Sequence, residues 1–474
     1  MRGVLLLAAA ALLADCAVAP PYERPAVEMP AAWKLEAPWQ PAQPGDLLAR
    51  GAWWRRFGDA QLDALQEQAL VASPTLSVAA ARLAQARAAA DAASAGLFPQ
   101  LGLGARAGRQ AISANRPLTS YGGTNSATVQ NDFALLFNVA YEADLWGRVR
   151  GTVSAARATA EQSAADLQNV RLVLGTDLAA NYFNLRELDI ELDVLAQSIA
   201  LQRRVLELAQ ARHDLGATSG LDVAQQQALL DTTLTQVDVL LRQRSQFQNA
   251  IATLVGQPAP VFAIAPETMT RTPPAVPLGV PSDLLQRRPD IAAAERAMAA
   301  ANAQIGVARA AYYPNITLGT SAGVDSRTLA TLFDAPSLLW SLGVSVLQPV
   351  FDAGRTDANV AIAEAGYQVA TGTYRRTVLT AMQEVQDGIT GSAALDRALA
   401  QARLAEQSAQ RVLQLAADRN EGGVATSLDV IIAQQALLNS QRQVAQLLGQ
   451  RLLVAVFLVK ALGGDWQPEA VAGS

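Results

Sequence analysis

No proline interrupts the chain between Pro117 and Pro258, nor between Pro349 and Pro468. Proline removes an amide donor and clashes with the preceding turn, so its absence over two such spans permits helices of unusual length. Each span is broken once, at Gly216-Ala217-Thr218-Ser219-Gly220 and at Gly422-Gly423-Val424-Ala425-Thr426-Ser427. The pattern predicts helices from Gly147 to about Leu215 and from Leu221 to Val255, then from Gly354 to about Asn420 and from Leu428 to Leu462. A helix of about 65 residues is nearly 100 Å long at the α-helical rise, which no compact core requires. Alanine occupies nearly every face, which suits close packing in a coiled coil or a curved helical wall. A cytosolic coiled-coil scaffold would share this pattern but would leave the rest of the sequence without a purpose.

The two long spans belong to a duplication. Pro74–Gly108 aligns without a gap on Pro289–Gly323, matching Phe98-Pro99 to Tyr313-Pro314 and Gly104 to Gly319. Later, Val205-Leu206-Glu207-Leu208-Ala209 matches Val412-Leu413-Gln414-Leu415-Ala416, and Leu221-Asp222-Val223 matches Leu428-Asp429-Val430. Each half is about 200 residues, far longer than a solenoid repeat. The joint, Gln257 to Pro281, is rich in proline, as a linker is.

Each half opens with an alanine-rich helix, Leu76–Gly96 and Ile291–Ala311, stopped by Phe98-Pro99 and Tyr313-Pro314. Period-two runs follow. Leu101, Leu103, Ala105 and Ala107 alternate with Gly and Arg; Phe133, Leu135, Phe137, Val139 and Tyr141 share a parity opposite to Asp132, Asn138 and Glu142. In the second half, Ile316, Leu318, Thr320, Ala322 and Val324 alternate with Thr, Gly and Ser, as do Leu338, Trp340, Leu342, Val344 and Val346 with Ser341, Gly343 and Ser345. Such alternation predicts four strands with one apolar and one polar face. Each is about ten residues, enough to cross a bilayer at a tilt.

Composition narrows the function. Of 474 residues, one is cysteine, Cys16, and one is histidine, His213. That excludes an intrachain disulfide and the usual zinc ligand sets, and leaves no enzyme constellation. No glycine-rich phosphate loop enters a helix either, so no enzymatic activity is expected. A net charge of −5 leaves no basic excess for nucleic acid. Mean hydropathy is slightly positive at +0.14, yet no run of 18 apolar residues offers a transmembrane helix.

The N-terminus supplies a membrane address of another kind. A short basic start precedes the apolar run Val4 to Ala14, which has the length of a secretory signal. Leu13-Ala14-Asp15-Cys16 resembles a bacterial lipobox, although Asp15 stands where a small uncharged residue is usual. Lipidation of Cys16 is expected. A proline-rich strap follows, punctuated by Trp33, Trp39, Trp53 and Trp54, which anchor a partner subunit or pack on their own protomer. His213, near a helix end, reads as structural or solvated.

Four amphipathic strands cannot close a barrel, and an open edge in lipid leaves backbone groups unsatisfied. The chain must therefore oligomerise; three copies supply twelve strands. Several motifs now carry a resemblance: Trp54-Arg55-Arg56-Phe57-Gly58-Asp59 with Leu62-Asp63-Ala64-Leu65; Tyr141-Glu142-Ala143-Asp144-Leu145-Trp146-Gly147-Arg148; Arg287-Arg288-Pro289-Asp290-Ile291; Tyr312-Tyr313-Pro314; and Gln348-Pro349-Val350-Phe351-Asp352-Ala353-Gly354-Arg355. With the two helix breaks, the sequence resembles the TolC-like outer-membrane efflux proteins, of the lipoprotein type found in tripartite pumps. The resemblance implies an α+β membrane protein: long α-helices forming a periplasmic helical barrel, and four transmembrane strands per chain completing a 12-stranded β-barrel in a homotrimer. It implies the outer-membrane exit duct of a pump for drugs or other small solutes, lipid-anchored and extending into the periplasm. The partners would be a periplasmic adaptor and an inner-membrane RND-type transporter. A periplasmic coiled-coil adaptor or scaffold lipoprotein is the alternative.

The corresponding division is a signal peptide (1–15), a lipid-anchored strap and equatorial segment (16–58), a first repeat (59–256), a linker (257–281), a second repeat (282–464) and a tail (465–474). Strands are expected near 99–109, 131–145, 314–325 and 338–350, and helix pairs over 147–255 and 354–462. By the resemblance, Leu428, Asp429 and Val430, with Asp222, are candidates for the channel gate. A ring of Asp429 carboxylates would favour cations; the same residue could instead stabilise the start of its helix. Gly216, Ser219, Gly220, Gly423, Thr426 and Ser427 are candidate adaptor-docking tips. Trp146 and Trp340 are candidate interfacial aromatics. Arg148 and Arg355 are placed to pair with Asp144 or Asp352. No cofactor is expected beyond the lipid on Cys16.

Overall fold

The fold is given by a computed structural model, which describes residues 19–25, 29–30, 33–34, 52–115, 127–268 and 288–464. Cys16, the signal segment, Trp39 and most of the joint lie outside the described residues. The elements run α1 (Ala60–Ala72), α2 (Pro74–Ala95), β1 (Gln100–Ile112), β2 (Thr128–Glu142), α3 (Arg148–Asp214), α4 (Gly220–Leu254), α5 (Pro289–Ala310), β3 (Asn315–Ser326), β4 (Leu338–Leu347), α6 (Arg355–Glu421) and α7 (Ser427–Ala461). The chain forms two compact units, and both are assembled across the duplication. The first comprises Met1–Pro25, Leu83–Gln162 and Ala294–Thr373; the second comprises Ala26–Arg82, Ser163–Ala293 and Tyr374–Ser474.

The first unit holds one antiparallel sheet in the order β1-β2-β3-β4. Each half contributes a hairpin, and β2 pairs with β3 across the duplication. The register puts every apolar parity on one face: Leu103 faces Phe137, Phe137 faces Ala322, and Ala322 faces Trp340. The other face carries Gly102, Asn138, Ser321 and Ser341 in one row. Glycine concentrates on that polar face, and at Gly323 the reason is visible: a β-carbon there would fall onto the carbonyl oxygen of Leu135. At one end of the sheet Trp146 stacks on Tyr313, ring centroids 4.7 Å apart. Its indole N–H donates to the Pro314 carbonyl at 2.8 Å.

The second unit is built on helices. Asp59 caps α1 by accepting from the amides of Gln61 and Leu62, after Gly58 turns the chain at a φ of 63° that favours glycine. Just before it, Trp53 and Trp54 are 5% and 6% exposed and pack edge-to-face with each other, and Phe57 packs on Phe183. These two tryptophans therefore serve their own protomer. α3 and α7 run antiparallel: Leu172 meets Gly464, Glu187 meets Gly449, and Glu191 accepts from Gln446 at 2.9 Å. α6 and α7 do likewise, with Gly388 against Leu458 and Arg451 paired to Asp396 at 2.5 Å. Leu188 and Leu195 of α3, Leu240 of α4 and Leu438 of α7 form a common apolar cluster. By length and composition α7 could cross a membrane, but its apolar side chains Leu452, Val456 and Leu458 are buried in this unit.

A buried polar cage ties the second unit together. Asp189, wholly buried, accepts from Arg186 at 2.8 Å and from Arg244 at 2.6 Å. Arg186 also donates to the Tyr182 hydroxyl at 3.1 Å, and Tyr182 donates to Asp59 at 2.9 Å. The guanidiniums reach the joint through the carbonyls of Ala265 and Ile264, both at 2.8 Å. Buried charges are tolerated only when paired and hydrogen-bonded in this way.

Candidate channel wall and helix-break tips

Both helix breaks are built by the same local chemistry. Gly216 and Gly423 adopt φ of 74° and 72°. After each, two amides reach back to the helix: Ala217 to Arg212 and Gly216 to His213, then Val424 to Arg419 and Gly423 to Asn420. This glycine cap satisfies carbonyls that a helix end leaves open. The next helix starts with a reciprocal box. Ser219 Oγ accepts the Asp222 amide while the Asp222 carboxylate takes the Ser219 amide; Thr426 and Asp429 repeat the arrangement. Hydrogen bonds from the Ser219 side chain and backbone hold the Asp222 carboxyl below its ordinary value, with further contributions from Thr218 and from Ser427 of the other break. Thr426 does the same for Asp429 through its hydroxyl and amide. The two breaks are therefore neighbours within one protomer, and both aspartates are helix-start groups. His213 joins the first break, its Nδ1 lying 3.0 Å from the Thr218 carbonyl oxygen.

The remaining gate candidates separate. Leu428 and Asp429 are exposed, whereas Val430 is 7% exposed and packs inside its own protomer together with Ile431. The helical period turns 429 and 430 to different sides, which the sequence motif alone does not reveal.

On the sheet, Trp340 is 75% exposed on the apolar face, among Leu338, Leu342, Val344 and Val346. Trp146 lies beyond the end of β2 and is pinned by Pro314 and Tyr313, so its polar end is already used. Two carboxylates of the polar face are paired with arginines. Arg106 meets Asp132 at 2.6 Å, and Arg148 grips Glu142 with two bonds of 2.5 and 2.7 Å. The expected pairing of Arg148 with Asp144 is not the one formed. Asp144 is occupied by the amides of Val149 and Arg150 and by the Arg150 guanidinium. In the second half Asp352 likewise accepts from the amides of Gly354 and Thr356. The polar parity of Glu142 is legible in sequence, but its partner lies six residues on, past a turn, and only the folded corner brings them together.

Among the described residues no cluster of His, Cys, Asp and Glu is arranged to hold a metal ion.

Comparison with known proteins matches this architecture. Residues 65–257 and 280–464 match the family model described as outer membrane efflux protein. The chain is 33% identical to the pyoverdine export outer membrane protein OpmQ of Pseudomonas aeruginosa, over 99% of this chain and 98% of that protein. It is 31% identical to the toluene efflux pump outer membrane protein TtgF of Pseudomonas putida, covering 98% and 96%. Its fold is similar to the outer-membrane channel OprN, with a TM-score of 0.87 at 29% identity, covering 96% of this chain and 100% of that one.

Proposed function

Because the chain belongs to the outer membrane efflux protein family, and is thus a non-enzymatic efflux channel of the outer membrane reaching into the periplasm, we propose that it is the exit duct of a tripartite pump. The adaptor and scaffold readings give way to the family match. In this reading three copies assemble, a periplasmic adaptor docks, and an RND-type transporter of the inner membrane supplies the energy. The cargo class is drugs or other small solutes; the named relatives export pyoverdine and toluene.

The observation that carries the proposal is the two-faced sheet with unpaired edges at β1 and β4. Its strands alternate in direction and are even in number, so the β4 of one copy can continue antiparallel onto the β1 of the next. Closure satisfies the edge backbone, turns the apolar face to lipid and encloses the polar face. The breaks around Gly216, Ser219, Gly220, Gly423, Thr426 and Ser427 offer exposed backbone to an adaptor. Leu428 and Asp429, with Asp222, are the residues proposed to ring the periplasmic end; the burial of Val430 leaves it outside that ring. Lipidation of Cys16 would add acyl chains worth about 0.8 kcal/mol per buried methylene to the membrane attachment.

Purified protein in a planar bilayer tests the channel. Discrete conductance steps from a trimer are expected, and refolded trimer without them would overturn the reading. Asp429→Asn should weaken cation preference if the gate ring is real. Mass spectrometry of the mature N-terminus tests the anchor: an unmodified Cys16 removes it.

A further inference from the structure

The start of α3 carries a charge against the grain. Arg148 is its first residue, where the helix dipole presents partial positive charge and disfavours a cation. Glu142, the last residue of β2, offsets it with two-point geometry at 2.5 and 2.7 Å. The pair is not needed to begin the helix. Asp144 already holds the amides of Val149 and Arg150, and the second half shows what happens without the pair. There α6 begins at Arg355 in the same way, Asp352 caps it, and Pro349 stands where Glu142 does. Arg355 is exposed, and its charge is balanced at that corner by the capping Asp352, whose carboxyl is held below its ordinary value chiefly by the Thr356 hydroxyl and also by Arg355 through space. One half thus keeps a carboxylate that the other does without.

Its position suggests why. Glu142 pairs across the sheet with Thr317, on the polar face, at the end where strand gives way to helix. It borders a cavity of about 300 Å³ lined by Phe98, Gln100, Tyr141, Arg148 and Thr152. Arg148 keeps 45% of its side chain exposed although it is fully engaged by Glu142. We propose that Glu142 and Arg148 form a charge-neutral ring at the junction between the sheet and the helical passage, and that their pairing keeps this throat indifferent to the sign of the passing solute. The inference rests on the channel reading, which turns the polar face inward. Charged rings set the ion preference of a pore, and a cancelled ring removes it.

The test is the K⁺/Cl⁻ permeability ratio of purified protein in planar bilayers under a salt gradient. Glu142→Gln frees Arg148 and should lower the ratio by roughly twofold, since a ring of three added positive charges favours anions. Arg148→Gln frees Glu142 and should raise it by a similar factor. Combining Glu142→Gln with Arg148→Gln should return the ratio to the wild-type value, and Arg148→Lys should stay near it. A merely structural pair would not produce opposite shifts that cancel. Unchanged ratios in both single variants, or shifts in the same direction, would overturn the proposal while leaving the channel intact. A wild type without conductance steps would overturn the channel reading and this one with it.

Discussion

Gly449 of α7 and Glu187 of α3 share one small volume: a β-carbon at Gly449 would lie 2.5 Å from Glu187 Cγ and 2.9 Å from its Cβ. The Glu187 terminus can swing aside, but its Cβ is fixed by the helix. Gly449→Ala should therefore separate two helices that join the halves of the duplication. The expected loss is about 1–3 kcal/mol, the usual cost of overpacking, read as a lower midpoint in thermal unfolding.

The same glutamate gives the protein a pH dependence. Burial first, and then the neighbouring Glu191 carboxylate, push Glu187 up to about 8, against the pull of Arg442. Glu191 itself is held by Arg442 at 2.7 Å, leaving one cation for two acids. The folded state then binds the proton more tightly than the unfolded chain, whose glutamate keeps its ordinary value of 4.5. Stability should fall as pH rises from that ordinary value towards 8, and level off above it. Glu187→Gln should flatten this slope in unfolding measured across the range; an unaltered slope would assign it elsewhere.

Asp189 is the single carboxylate between Arg186 and Arg244, and it also accepts the Glu267 amide at 3.2 Å. Asp189→Leu leaves the buried Arg244 guanidinium without its counter-charge and Arg186 with only the exposed Glu267 at 3.4 Å. A loss of about 3–5 kcal/mol is expected from denaturant unfolding, larger than for any single substitution at an exposed pair such as Arg55–Glu67.

The helix breaks should respond locally. Ser219→Ala removes the hydroxyl that accepts the Asp222 amide, which should weaken the first turn of α4 by about 1 kcal/mol. Amide hydrogen exchange around that turn should quicken while the centre of α4 keeps its protection. Since the Asp222 and Asp429 carboxyls sit below their ordinary values, the two boxes should contribute fully above the ordinary carboxylate range and lose their stabilisation as pH falls below it through the lowered values.

Glycines on the polar face of the sheet should separate into two classes. Gly323→Val places a side chain on the Leu135 carbonyl oxygen and should prevent β2 from pairing with β3, abolishing conductance steps. Gly319→Ala and Gly343→Ala open onto free space and should conduct like the wild type.

The four strands, their two faces and the long helices were legible because each depends on neighbours a few residues away. Alternation placed Phe133, Phe137 and Tyr141 on one side of β2, and glycine marked where α3 and α6 must stop. The gate and interface residues were less legible. The motif Leu428-Asp429-Val430 was visible, yet Val430 turned inward, and Trp146 spent its indole N–H on Pro314.

The sequence by itself determined that this chain makes proline-free helices about 100 Å long, that they break at glycine, and that its sheet has unlike faces; these follow from dihedral preferences and periodicity, which are local. Only the tertiary structure decided which charges meet. Asp189 binds Arg244 from 55 residues away, and Gln446 reaches Glu191 across 255. Arg148 takes Glu142 rather than Asp144 because the corner after β2 has already committed Asp144 to two backbone amides. A charge finds its partner by distance in space and by what each carboxylate has left to accept, and neither is written in the spacing of the residues.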